Sequence, residues 1–244
     1  MDRQKLRKSL LLISFLALPV TLFYLSPILI LMGAREGVLT GSAITFAFLF
    51  IISIFAGRAW CGWICPQGAL QDLVASRINN RPIDNMGRIN LVKYLIWIPW
   101  ISLIALLFIF NGGISAIDPF YHTDHGVSTA SLFTLAIYYI IITAVFLIAA
   151  VLGRRGACHS VCHMAVFQII GRKIRNLLQL PALYMKPSGE LCNGCQRCSR
   201  ECPMSLDVTA MVKSGRVEHP ECILCGTCAD TCPKHAVSYA FGRN

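Results

Sequence analysis

Residues 192–203 read CNGCQRCSRECP and residues 222–233 read CILCGTCADTCP, so one C-x2-C-x2-C-x3-C-P pattern occurs twice. These eight cysteines belong to a total of 12 in a chain of 244 residues, which is more than packing requires. Two cysteines with two residues between them are typical metal ligands, because a tight loop can bring their thiolates to one site. The doubled run therefore predicts a metal-binding domain, which we place over residues 181–244.

The doubled run resembles that of bacterial two-cluster ferredoxins. In those proteins three cysteines of one run hold a [4Fe–4S] cluster, and the fourth reaches across to the other cluster. The resemblance implies a first cluster on Cys192, Cys195, Cys198 and Cys232, and a second on Cys222, Cys225, Cys228 and Cys202. Two zinc sites with four cysteines each are the alternative, but the proline after each fourth cysteine favours iron–sulfur clusters. A domain with two such clusters is suited to the transfer of single electrons.

The composition places the rest of the chain in a membrane. Hydrophobic residues make up 55% of the chain and charged residues only 14%, where ordinary soluble domains carry about 25% charged residues. Four stretches approach the length of about 20 apolar residues that a spanning helix needs: residues 10–32, 38–56, 91–110 and 132–152. We expect Pro19 and Pro27 to kink the first span, which lacks the small-residue cleavage site of a secretory signal. The predicted fold is a four-helix transmembrane domain, residues 1–180, followed by the ferredoxin-like domain, residues 181–244.

We interpret the net charge of +10 as a sign of how the chain is oriented in the membrane, and it gives no reason to expect nucleic acid as a partner. Of the 22 basic residues, 21 precede the first span, lie between the second and third, or follow the fourth. The positive-inside rule then places both termini and every cysteine on the cytoplasmic side of the cell membrane. Reducing conditions there favour metal ligation over disulfides. We expect the basic stretch 171–175 to lie against anionic membrane lipid.

A second set of cysteines lies where two spans end. Residues 57–66 read GRAWCGWICP and residues 153–163 read GRRGACHSVCH, so Cys61 and Cys65 share a C-x3-C spacing with Cys158 and Cys162. The two segments form weak repeats that could offer four thiolates to one metal site. A third cluster, a zinc or copper site, a redox dithiol and unpaired thiols all stay open. His159 and His163 are expected at the surface near lipid headgroups, with spare ligands or proton carriers as the alternative.

Four spans, two C-x3-C motifs and a terminal double run together resemble the NapH-type membrane ferredoxins, a module shared with proteins of the CcoG and NosR type. The resemblance implies an electron-transfer subunit, a quinol dehydrogenase component that exchanges electrons between the quinone pool and a cytoplasmic redox partner. The CcoG likeness keeps a copper-reducing or assembly role as the alternative. One departure is His163, which follows Cys162 where the pattern has proline.

Two places could serve a quinone. The outward loop 111–131 has acidic residues and histidines that can exchange protons. However, a hydrocarbon core of about 30 Å separates that loop from cytoplasmic clusters. If quinone binds directly, a site near Trp60 and Trp63 at the inner headgroups is the better location.

Overall fold

The computed structural model describes residues 2–84 and 86–243 of the chain. Its helices are α1 (Arg3–Leu16), α2 (Leu18–Thr21), α3 (Pro27–Glu36), α4 (Gly41–Ala56), α5 (Ala59–Trp63), α6 (Pro66–Arg77), α7 (Met86–Phe110), α8 (Leu132–Leu152), α9 (Gly156–Ser160), α10 (His163–Leu178), α11 (Arg197–Arg200), α12 (Val208–Lys213) and α13 (Thr227–Asp230). Strand β1 (Val38–Thr40) pairs in parallel with β2 (Ala116–Asp118), and β3 (Ala182–Pro187) pairs antiparallel with β4 (Val237–Gly242). Single 3-10 turns lie at Phe23–Leu25 and Gly189–Leu191.

Two helices of the described chain, α7 with 25 residues and α8 with 21, are long and apolar enough to cross a membrane. Only 11% of the most apolar window of each is buried. Their side chains face outward, as Phe110 at 82% exposure and Leu132 at 87% illustrate. Helix α4 is apolar too, but has only 16 residues.

The first predicted span is not one continuous helix, so the structure does not confirm the prediction of four spans. Residues 10–32 divide among α1, α2, a 3-10 turn and α3. Proline has no amide hydrogen and clashes with the preceding turn, so it is tolerated in the first turn of a helix and disrupts its interior. Pro19 is the second residue of α2 and Pro27 the first residue of α3, so both lie in the first turn of a separate helix.

Helices α4, α5 and α6 correspond in order to α8, α9 and α10. Each set has a long apolar helix, a five-residue helix and a further helix of 12 or 16 residues. The long helices end at Gly57 and Gly153, whose φ angles of 54° and 92° suit glycine. The sets pack crosswise, α6 against α8 and α10 against α4. The short helices that follow the two long helices, which carry Cys61 and Cys158, therefore come together in one buried cluster.

The tail is closed by the pairing of β3 with β4, which brings its first and last strands together in the register Tyr184 to Ala240. Its buried apolar residues, among them Met185, Met204 and Ile223, form one cluster that continues into Cys61 and Cys158. The tail is thus packed onto the helices that precede it.

Candidate metal centres

The two cysteine runs fold alike. In each run the backbone is left-handed at three equivalent positions: Gly194, Gln196 and Ser205 in the first, and Leu224, Gly226 and His235 in the second. Loops that include left-handed residues turn successive N–H groups inward and form anion-binding concavities, including those of iron–sulfur sites. The third cysteine of each run then lies in a one-turn helix, α11 or α13. Both loops are shaped to surround a negatively charged group.

Each run contributes three cysteines to one cavity and its fourth to the other. One cavity is lined by Cys222, Cys225, Cys228 and Cys202, among apolar residues such as Met204. The other is lined by Cys192, Cys195, Cys198 and Cys232. These are the two crossed sets of four that the ferredoxin resemblance implies, and they fit a cluster held by four thiolates.

The spacing of the cysteines also bears on the zinc alternative. Within residues 2–84 and 86–243, no three His, Cys, Asp or Glu side chains are gathered closely enough for a single metal ion. Zinc requires all four sulfurs at about 2.3 Å from one point. A cube binds each thiolate at a different iron, so cysteines arranged around a cavity fit the cube better.

Polar groups lie beside two sulfurs of the first tail site. The Cys198 Sγ lies 3.4 Å from the Thr209 hydroxyl, and the Ala236 amide donates to the Cys232 Sγ at 3.3 Å. Burial, together with the neighbouring thiol of Cys225, raises the pKa of Cys202 to about 12. A thiol in that environment ionises when a cation binds it, so ligation there is coupled to proton release.

The structure brings the other four cysteines together from the two helix sets. Cys61 lies in α5 and Cys158 in α9, while Cys65 and Cys162 precede α6 and α10. Burial raises the pKa of Cys65 well above its usual value, and the nearby Cys61, Cys158 and Cys162 raise it further. Burial likewise raises the pKa of Cys162 to about 12. Each pair spans the end of a short helix and the start of the next.

A fully buried arginine stands three residues before each first cysteine. Arg58 precedes Cys61 and Arg155 precedes Cys158, and both residues are 0% exposed. Arg155 pairs with Asp72 at 2.7 Å and donates to the Cys61 carbonyl oxygen at 2.5 Å. The repeats therefore align on Arg58 and Arg155, each three residues before the first cysteine of its pair.

Glu221, the residue before Cys222, is a buried anion that contacts cations of the helices preceding the tail. It pairs with Arg58 at 2.5 Å and with Lys93 of α7 at 2.5 Å, and its carboxylate is 3% exposed. Burial opposes its ionisation, but the charges of Arg58 and Lys93 hold its pKa at about 2. This ion network fixes the second cysteine run against the helices.

The loop that carries Cys61 and Cys65 touches the second run directly. The Trp63 indole donates to the Leu224 carbonyl oxygen at 2.9 Å. Gly62 lies so close to the chain that a Cβ would overlap the Ile223 carbonyl oxygen and come within 3.5 Å of the Cys225 Cα. The four-cysteine site and the second cavity are thus in backbone contact.

Two expectations about polar residues are wrong. His159 is completely buried and bonded to Asn90 at 2.9 Å, and burial lowers its pKa to about 3, so it is no surface histidine. His163 is half-buried against Trp100, with ring centroids 5.2 Å apart. In the stretch 171–175, Arg172 is buried and pairs with Glu218 at 2.7 Å instead of facing lipid.

The sequence reasoning missed Glu221, Lys93 and Asp72, and also Gln71 and Gln168. The Gln71 amide donates to the Cys158 Sγ at 3.2 Å, and the Gln168 carbonyl oxygen lies 3.2 Å from the Cys61 Sγ. Aligning the repeats on their arginines reveals the glutamines, since each follows the second cysteine by six residues. The ion partners give no such signal, because they are far apart in sequence.

Comparison with known proteins agrees with these sites. A family model described as a 4Fe–4S dicluster domain matches residues 191–237, and one described as a 4Fe–4S binding domain matches residues 38–82. The chain carries two ferredoxin-type 4Fe–4S domains. The dicluster match accounts for two [4Fe–4S] clusters, which confirms the cofactor prediction for the tail.

The relatives of this chain include an uncharacterized protein, a ferredoxin-type protein and a putative electron transport protein. An uncharacterized protein of Methanocaldococcus jannaschii is 28% identical, covering 93% of this chain and 83% of its own length. The methylamine utilization ferredoxin-type protein MauN of Methylorubrum extorquens is 28% identical over 72% of this chain and 56% of its own. The putative electron transport protein YccM of Escherichia coli is 24% identical over 85% and 60%. No solved structure matches.

Proposed function

We propose that this protein is a membrane-anchored iron–sulfur protein of the NapH type, which relays single electrons between the quinone pool or a membrane partner and a cytoplasmic redox protein. The observation that carries the proposal is the backbone contact between the Cys61–Cys65 loop and the second cysteine run. That contact follows directly after the apolar helix α4 in the chain, which supports a position for one tail site close to the membrane. The other tail site lies further along the same lobe.

The membrane half of the proposal rests on outward-facing apolar surface. Burying such surface away from water stabilises a protein by about 25 cal/mol per Å2, and α7 and α8 leave most of theirs uncovered. Lipid is the solvent that suits helices of this length. The 21 basic residues on one side of the expected spans favour cytoplasmic termini.

We assign the ligands as the cavities group them, with Cys192, Cys195, Cys198 and Cys232 holding the first cluster and Cys222, Cys225, Cys228 and Cys202 the second. When bound, the clusters accept and release one electron at a time. The protein's own part is to hold the thiolates, to donate hydrogen bonds to sulfur and to exclude water. Apolar residues such as Met204, Ile223 and Leu224 exclude water at the second site.

The first site faces a soluble partner. Cys195 is exposed to solvent, whereas Cys225 of the second site is buried. Lys213 and Lys234 stand beside the first run, with the Lys213 ammonium next to Gly194 and Lys234 lining the cavity. Both lysines are exposed. A partner with an acidic docking face fits this end, since complementary charge steers association.

The proposal is tested with the full chain in liposomes. Protein purified without oxygen is reconstituted, a quinol is added, and reduction of the clusters is followed by the loss of their visible absorbance. We expect bleaching of both tail clusters in wild type and no bleaching of the first cluster by quinol in the Cys225→Ser variant, in which the membrane-side site of the tail is broken. If dithionite bleaches the wild-type clusters and quinol does not, quinol is excluded as the donor. An iron content below about eight per chain would overturn the two-cluster assignment.

A further inference from the structure

The two C-x3-C pairs belong to a longer motif that occurs twice. Residues 58–71 and 155–168 both read R-x2-C-x3-C-x5-Q. The arginines, cysteines and glutamines of both repeats lie together in one buried part of the structure. The sequence spacing alone could not show that the arginines and glutamines belong to it.

The contacts between the repeats are exchanged, as a twofold relation would produce. Gln71 of the first repeat bonds to the Cys158 Sγ of the second, and Gln168 of the second lies 3.2 Å from the Cys61 Sγ of the first. Arg155 of the second repeat donates to the Cys61 carbonyl oxygen. Helices α6 and α10 cross in the same way, each packing on the long helix of the other repeat. The four sulfurs thus form one composite site.

Donors around this site have no partner among the described residues. They are the Arg58 Nε and Nη2 atoms and the Gln168 Nε2 atom, and both side chains are 0% exposed. Buried donors are nearly always hydrogen-bonded in native proteins, so an unpaired set indicates a missing acceptor. Arg58 lies close enough to Cys61 and Cys158 for their thiolates to stabilise its charge. A half-turn of the Gln168 amide would aim its N–H2 at a Cys61 thiolate.

We infer that Cys61, Cys65, Cys158 and Cys162 hold a third [4Fe–4S] cluster, with Arg58, Gln71 and Gln168 as hydrogen-bond donors to it. A cube with four thiolate ligands is an anion, which supplies the acceptor that these donors lack. A single zinc or copper ion suits the site less well, because no three of the described His, Cys, Asp or Glu side chains converge on one point. The 4Fe–4S family match over residues 38–82 includes only the first pair of cysteines; the second repeat completes the set.

The inference of a third cluster rests on the proposed electron-relay function. In that function the third cluster is the site through which electrons pass between the membrane side and the tail. Gly62, next to Cys61, packs against Ile223 and Cys225 of the second run. Single-electron transfer across this contact oxidises one cluster and reduces the other, and no bond or proton changes. The three centres then form a series of electron carriers that ends at Cys195, which is exposed to solvent.

The test is an iron and sulfide count on anaerobically purified full-length protein. We expect about twelve irons and about twelve sulfides in wild type, and about eight of each in a Cys61→Ser, Cys158→Ser variant that keeps the paramagnetic signals of the tail clusters. A wild-type count of about eight overturns the third cluster while leaving the two-cluster function intact. A count of twelve that the cysteine variant does not change also overturns it.

A second variant tests the donors and does not depend on removing ligands. Gln71→Ala together with Gln168→Ala should keep about twelve irons and shift the midpoint potential of one centre, because hydrogen bonds to sulfur tune that potential. Gln67→Ala, on the same helix as Gln71 and without a side-chain bond in the described structure, is the matched control and should shift none. Unchanged potentials in the double glutamine variant would contradict the donor role.

Discussion

Glu221 is the residue on which the docking of the tail depends most. Its carboxylate is the shared partner of two fully buried cations, Arg58 and Lys93. Removing one member of a buried ion pair typically costs about 3–5 kcal/mol, because the remaining charge is uncompensated. We therefore expect Glu221→Gln to lower the free energy of unfolding by about 3–5 kcal/mol, measured by urea denaturation in detergent.

The control for this variant is Asp84→Asn. Asp84 pairs with Arg81 at 2.8 Å, but the two side chains are 63% and 71% exposed. Exposed pairs contribute about 0–1 kcal/mol. A Glu221→Gln variant no less stable than Asp84→Asn would show that the buried network does not hold the tail.

Gly62 tests the contact between the helices and the tail. A Cβ at this position overlaps the Ile223 carbonyl oxygen, a backbone atom that cannot rotate away. Gly62→Ala should therefore push the loop off the second run and slow electron transfer into the tail at least tenfold, as stopped-flow absorbance would measure. Gly87→Ala is the control, because a Cβ there meets nothing within 4 Å. Equal rates in the two variants would contradict the proposed path.

At the scale of elements, α10 is joined to the segment before the second run by Arg172 and Glu218, 2.7 Å apart. Burial opposes ionisation of Glu218, but the hydrogen bond and charge of Arg172 lower its pKa from 4.5 to about 2. A carboxyl group whose pKa is lower in the folded state than in the unfolded state stabilises the fold at pH values above its unfolded-state pKa. That stabilisation is lost as the pH falls toward the folded-state pKa. The stability difference between wild type and Glu218→Gln should stay constant from pH 8 to pH 5 and shrink below about 4.5.

Denaturation of both proteins at a series of pH values measures this dependence. A difference that grows on acidification, or that already disappears near neutral pH, would mean that the Arg172–Glu218 pair does not join α10 to the tail.

The elements that could be predicted were those fixed by local sequence. The spacing of the cysteines predicts the loops of the two runs, and the length and apolar composition of residues 91–110 and 132–152 predict α7 and α8. The break of the first span was not foreseen, since Pro19 and Pro27 suit either a kinked helix or the first turn of a new one. The buried ion network could not be predicted, because Glu221 lies 163 residues from Arg58 and 128 from Lys93.

For the whole molecule, the distribution of charge predicts orientation. With 21 of 22 basic residues on one side of the expected spans, both ends should face the cytoplasm. In inside-out vesicles, protease should therefore remove the tail, and in right-side-out vesicles the tail should be protected. Protection in both preparations, or the reverse pattern, would contradict this orientation.

The central claim is that electrons cross the tail through both sites in series, with the buried second site on the membrane side and the exposed first site on the side of the soluble partner. The most direct measurement follows a membrane donor and a soluble acceptor together in liposomes, in wild type and two variants. We predict that Cys195→Ser still allows reduction of the second cluster but stops transfer to the acceptor, while Cys225→Ser prevents reduction of the first cluster. Transfer to the acceptor at the wild-type rate in either variant would contradict the account.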